Sequence, residues 1–191
     1  MNDSSFYPFG ATEQETFVLN ILNYKKNGYY VEVGSGDPIK ENNTYILETQ
    51  YGWNGIGFEI DEEKNKNYNN IRKNICLNED AIKFDYRKYF KENNFPKQID
   101  FLQIDIDDTP KNANFLGLLN IPLTEYRFSV IIFEHDLIRS YKFEELRSTQ
   151  RWILSCLGYV LVARTVSEDW WVDPTVIPYS EYQKYFRMES K

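Results

Sequence analysis

The sequence predicts an α/β protein whose mainly parallel central sheet carries helices on both faces, and three observations lead there. Short β-rich runs recur along the chain, with GYYVEVGSG (28–36) and FLQIDID (101–107) the clearest, and each ends abruptly in small or acidic residues. Segments of helical period lie between these runs, so strand and helix alternate. The strand-like runs are apolar on both faces, the pattern of a sheet covered on two sides.

Thr12 followed by Glu15 makes a capping box, and Phe17, Val18, Ile21 and Leu22 recur on one helical face until Gly28, which predicts a helix over 12–26. The first strand follows within 28–36. Asn43 and Thr44 cap a short helix that ends at Gly52, and GIGFEI (55–60) supplies a second strand. KNKNYNNIRKN (64–74) has the charge pattern of the solvated face of a helix, and ICLN (75–78) is a third strand. After the fourth strand at 101–107 come FSVIIFEHD (128–136), a long helix marked by Phe143, Leu146, Ile153, Leu154 and Leu157 before Gly158, and GYVLVART (158–165). Trp170 to Val172 make a last, antiparallel strand. The chain is expected to form one domain over 1–191, with a helical segment, 1–27, packed on a core, 28–174.

Apolar residues make up 42% of the chain, enough for a packed interior. No run approaches the roughly 18 apolar residues of a membrane helix, and MNDSSFYPFG lacks the layout of a signal peptide. The expected location is the cytoplasm, or the host cytoplasm for a viral chain. A net charge of −7 argues against a nucleic-acid partner, because affinity for phosphate backbones comes from clustered Lys and Arg. Cys76 and Cys156 sit among apolar neighbours and are expected as buried thiols.

In open α/β sheets ligands bind at the carboxyl ends of the strands. The first strand ends in Glu32-Val33-Gly34-Ser35-Gly36-Asp37, where glycines allow a tight turn and close approach of a ligand. No third glycine follows to open a helix, as a pyrophosphate site requires. The acids Glu32 and Asp37 instead suit the ammonium or sulfonium of S-adenosylmethionine; the competing reading is a plain glycine turn with solvated acids. Glu59, at the end of the second strand, is placed to accept hydrogen bonds from both hydroxyls of a ribose, of an adenosine-type or a NAD-type cofactor alike. Asp80 and Ala81 follow the third strand, as an adenine contact or as a turn.

The fourth strand ends in Asp105-Ile106-Asp107-Asp108, the fifth in Glu134-His135-Asp136. Alternation puts Asp105 and Asp107 on one side, toward reacting groups. His135, the only histidine, is open to three readings: general base, metal ligand, or structural imidazole bonded to an acid. Asp105, Asp107, Glu134 and His135 are the candidates for a divalent ion such as Mg2+ or Mn2+. Trp170 and Trp171 either meet an acceptor or pack an edge strand.

GYYVEVGSGD, NTYILETQYGWNGIGFEID, NEDAIKFDY, PKQIDFLQIDID, YRFSVIIFEHD, LGYVLVA and EDWWVDP, in this order between Gly28 and Pro174, resemble the FkbM-type methyltransferases. That resemblance implies a Rossmann-like class I methyltransferase fold and O-methylation of a sugar hydroxyl, on a glycan or an activated sugar, with S-adenosylmethionine as donor. It implies Glu32, Gly34, Ser35 and Gly36 as the cofactor loop, Glu59 with Ile60 at the ribose, Asp80 and Ala81 at adenine, and Asp105 beside the transferred methyl. Pro38 and Asp108 stand where the family commonly has glycine. A nicotinamide oxidoreductase, and a non-catalytic cofactor-binding protein of the same fold, are the competing functions.

Overall fold

The computed structural model describes residues 12–106, 112–135 and 144–187. Its first helix, α1 (Glu13–Ile21), opens with the capping box: Thr12 Oγ1 accepts from the Glu15 amide at 3.0 Å, and the Glu15 carboxylate accepts from the Thr12 amide at 3.2 Å. The helix stops short of residue 26 because Asn23 and Tyr24 take left-handed φ values of 51° and 53°.

β1 (Tyr29–Val33) pairs in parallel with β2 (Asn54–Phe58) and β4 (Gln98–Ile104). β2 continues to β3 (Cys76–Leu77), and β4 to β5 (Arg127–Glu134), again in parallel. β7 (Glu168–Val172) then lies antiparallel between β5 and β6 (Val160–Arg164). The sheet order is β3-β2-β1-β4-β5-β7-β6. Growth of the sheet reverses direction between β1 and β4, which makes their carboxyl ends the topological switch point.

Alternation along each strand divides the core in two. Val31, Val33, Ile104, Phe133 and Trp171 face one side, where Phe90 of α4 (Tyr86–Glu92), Leu118 of α5 (Ala113–Asn120) and Leu154 of α6 (Glu144–Cys156) pack. Tyr30, Phe101, Val130, Ile132, Trp170 and Val172 face the other. Phe17 and Val18 of α1, Ile46 and Leu47 of α2 (Tyr45–Tyr51) and Tyr182 of α7 (Tyr179–Tyr182) cover that side. α2 closes as expected at Gly52, left-handed with φ 69°.

The charged run falls on α3 (Glu62–Ile71), which is largely exposed apart from Asn65 and Tyr68, but Arg72 just beyond it is buried. Cys76 is buried as expected, whereas Cys156 is exposed, because it lies on the solvent side of α6, opposite Leu154. No helix among the described residues is long and apolar enough to cross a membrane.

Candidate functional site

A cleft of about 470 Å3 opens at the switch point. Glu32, Gly34, Ser35, Gly36, Glu59, Ile60, Asp80, Ala81 and Asp105 all lie in its wall, so the residues expected around a cofactor come together from four strand ends.

The glycine turn shapes the cleft. Gly34 has φ 88°, and a Cβ there would sit 1.8 Å from the Asp105 carbonyl oxygen, so the exits of β1 and β4 are in direct contact. The Asp105 amide donates to the Val33 carbonyl at 2.9 Å and ties them further. Gly36, by contrast, faces open space: a Cβ on it would meet nothing within 4 Å. Its amide donates to Glu59 Oε2 at 3.1 Å, while the Asp61 amide donates to Glu59 Oε1 at 2.8 Å. The Glu59 carboxylate is thereby fixed at the cleft edge before any ligand arrives.

Electrostatically the cleft is acidic. Glu32, Asp37, Glu41, Glu59, Glu79, Asp80 and Asp105 line it against a single ammonium, that of Lys40, among the described residues. Amides of Lys40 and Ile39 hold the Asp37 carboxyl below its ordinary value, and the Lys83 ammonium does the same for Asp80. Burial pushes the Glu32 carboxyl up to about 7, against the pull of Arg72 and of hydrogen bonds from Thr44, Asn42 and Ser35. From Gly36 to Thr44 the chain runs as a loop, so no helix amino terminus follows the turn to receive a pyrophosphate.

Other candidates are placed elsewhere. His135 is buried at the end of β5, outside the described cleft wall, with its amide donating to the Ser167 carbonyl at 2.7 Å. Burial, with Arg147 and Arg151 nearby, pushes its imidazole down to about 4, against Asp169 and Glu144, so the ring is neutral at physiological pH. His135 is thus not in the described cleft wall with Asp105, and residues 107–111 and 136–143, which follow the two strand ends, lie outside the described residues. Asp107 lies outside the described residues. Among the described residues no three His, Cys, Asp or Glu side chains gather to hold a metal.

Trp170 and Trp171 are both buried in the core. Trp170 packs on Phe17 with ring centroids 4.8 Å apart and donates to Glu168 Oε2 at 2.8 Å, and Trp171 is fully buried on the opposite face. β7 sits between two strands, and that inner position buries both indoles.

The wall also contains Lys40, Glu41, Asn42, Asn43, Phe58, Glu79, Ile82 and Ile106, which the motifs did not single out. For Asn42 the available signal was its place in a loop, 37–44, without apolar period, directly after a turn at a strand end.

No family model and no curated protein matches the sequence. Among solved structures, a human methyltransferase 10 domain-containing protein superposes with a TM-score of 0.52 at 10% identity, covering 83% of this chain and 78% of that one. A SAM-dependent methyltransferase from Archaeoglobus fulgidus is 22% identical, with a TM-score of 0.44 over 78% of this chain and 70% of that one. The chain has the Rossmann-like methyltransferase fold. Likeness at this level of identity carries the fold alone, and the chemistry has to be argued from the cleft.

Proposed function

We propose that this chain is an S-adenosylmethionine-dependent O-methyltransferase acting on a sugar hydroxyl of a glycan or activated sugar. The observation that carries the cofactor assignment is the acidity of the cleft: seven acidic side chains against one ammonium suit a cationic donor and repel a pyrophosphate. The open space at Gly36 and the pre-set Glu59 carboxylate fit an adenosine. Glu59 accepts from the ribose hydroxyls, Asp80 accepts from the adenine amino group beside the Ala81 amide, and Glu32, Asp105 and the 34–36 turn surround the methionine part. The bound cofactor supplies an electrophilic methyl group on a positively charged sulfur. Asp105 orients the acceptor hydroxyl and takes its proton as the nucleophile forms. The sugar acceptor rests on the resemblance to FkbM-type enzymes, not on the cleft.

Calorimetry with S-adenosylhomocysteine and with NAD tests the cofactor, and the first alone is expected to bind. Incubation of sugar and glycan pools with methyl-labelled cofactor, followed by mass spectrometry, tests the acceptor. Label on a nitrogen instead of a sugar oxygen would overturn the acceptor while leaving the cofactor assignment intact.

A further inference from the structure

Arg72 lies in a run of Lys and Asn, yet its side chain is fully buried, with 0% exposure. Its guanidinium makes a hydrogen bond in every direction the fork allows. Nε donates to Glu48 Oε2 at 3.0 Å; Nη1 to the Pro38 carbonyl at 3.0 Å and to Asn42 Oδ1 at 2.8 Å. Nη2 donates to the Tyr30 hydroxyl at 3.3 Å and to Thr44 Oγ1 at 3.1 Å. The rings of Tyr45 and Tyr68 lie 5.5 and 4.8 Å from its central carbon. Three of its partners (Pro38, Asn42 and Thr44) belong to the loop that walls the cleft.

Asn42 carries these contacts onward. Its Oδ1 also accepts from the Thr44 amide at 3.1 Å and hydroxyl at 3.0 Å, while its Nδ2 donates to the Ser35 carbonyl at 3.0 Å and to Glu32 Oε2 at 3.4 Å. A continuous chain of hydrogen bonds thus joins Arg72 to the glycine turn, although Arg72 is not in the cleft wall. Burying an ion pair is a poor route to stability; here the fork instead ties Glu48, Pro38, Asn42, Tyr30 and Thr44 to one another.

We propose that Arg72 is a positioning residue for the cofactor: through Asn42 it holds the 34–36 turn and the 38–44 loop in their binding-ready arrangement without touching the ligand. The proposal rests on the cofactor assignment above. Loss of the latch leaves the loop to be ordered at binding, which lowers affinity without removing a ligand contact.

The probe is S-adenosylhomocysteine, titrated by calorimetry at a temperature where circular dichroism shows each variant folded. Arg72→Lys keeps the charge but replaces the fork with a point donor, and affinity is expected to fall about tenfold or more. Thr44→Val has the same shape, lies outside the cleft wall and removes one acceptor for Arg72 and the hydroxyl that reaches Asn42 and the Glu32 carboxyl; an affinity loss of about threefold or more is expected. Because both act through Asn42, the double variant is expected to lose less than the product of the single losses. Leu154→Ala, on the opposite face of the sheet, reports what lost stability alone does, and its affinity is expected to stay within about twofold of wild type. If Arg72→Lys does not fold, Thr44→Val decides. Wild-type affinity in either folded variant, independent losses in the double variant, or an equal loss in Leu154→Ala overturns the proposal. Failure of the wild-type chain to bind S-adenosylhomocysteine overturns the cofactor assignment instead, and this proposal with it.

Discussion

Glu59 shows how far a binding group is arranged in advance. Both of its oxygens already accept a backbone amide, from Gly36 and Asp61, and each keeps a lone pair for a further donor. Glu59→Ala is expected to weaken S-adenosylhomocysteine binding by about 1.5–3 kcal/mol, measured calorimetrically. Asp105→Asn keeps size and removes charge, so single-turnover rate is expected to fall by about 10²-fold or more with little change in melting temperature. These acids could be read from the sequence because each follows a strand, and a strand end in this fold class is where ligands bind. Arg72 could not. Nothing in NNIRKN distinguishes a buried arginine from a solvated one, since the acceptors that bury it are contributed by residues 30–48. His135 closes an apolar run, and it is burial first, with Arg147 and Arg151 of α6 adding to it, that pushes its imidazole down.

Among the elements, α1 was read best, because its capping box is a local device that sequence spacing reveals. Thr12→Ala is expected to cost about 1 kcal/mol in denaturant unfolding. Its far end was misjudged by several residues, since Asn at a left-handed position ends a helix as a glycine does, before Gly28 is reached. β7 was legible as an antiparallel strand but not in its position. EDWWV says nothing about inserting between β5 and β6, and that insertion decides the role of the tryptophans. Trp171→Leu is expected to lower stability by roughly 2–4 kcal/mol while leaving the acceptor KM unchanged; a raised KM at an unchanged melting temperature would return Trp171 to the site.

For the molecule as a whole, three carboxyls that burial pushes up, Glu15, Glu32 and Glu168, bear on the dependence of stability on pH. Burial pushes both Glu15 and Glu32 up to about 7 from an ordinary 4.5. The folded chain therefore keeps protons that the unfolded chain releases, and stability falls as pH rises between those values. His135, pushed down from 6.5 to about 4, acts in the opposite sense, mainly below 6.5. Above pH 6.5 the carboxyls outweigh it, so the melting temperature is expected to fall between pH 6.5 and about 7.5, levelling off once Glu15 and Glu32 are ionised in both states, and Glu15→Gln to lessen the fall. Calorimetric scans of both proteins check it, and a wild-type melting temperature that rises over the window would refute the assignment.

The sheet order also has a consequence for how the chain comes to be built. Among the described residues β6 pairs with no strand but β7, and β5 pairs with no strand on its outer side but β7. A nascent chain that has made everything up to Arg164 holds five parallel strands whose last member, Val130 to Phe133, displays a bare apolar edge. Such an edge invites pairing with another chain, so the interval before residues 168–172 emerge is the hazardous one in biosynthesis. A chain stopped before Glu168 is expected to accumulate as aggregate, even though it carries every residue of the described cleft wall.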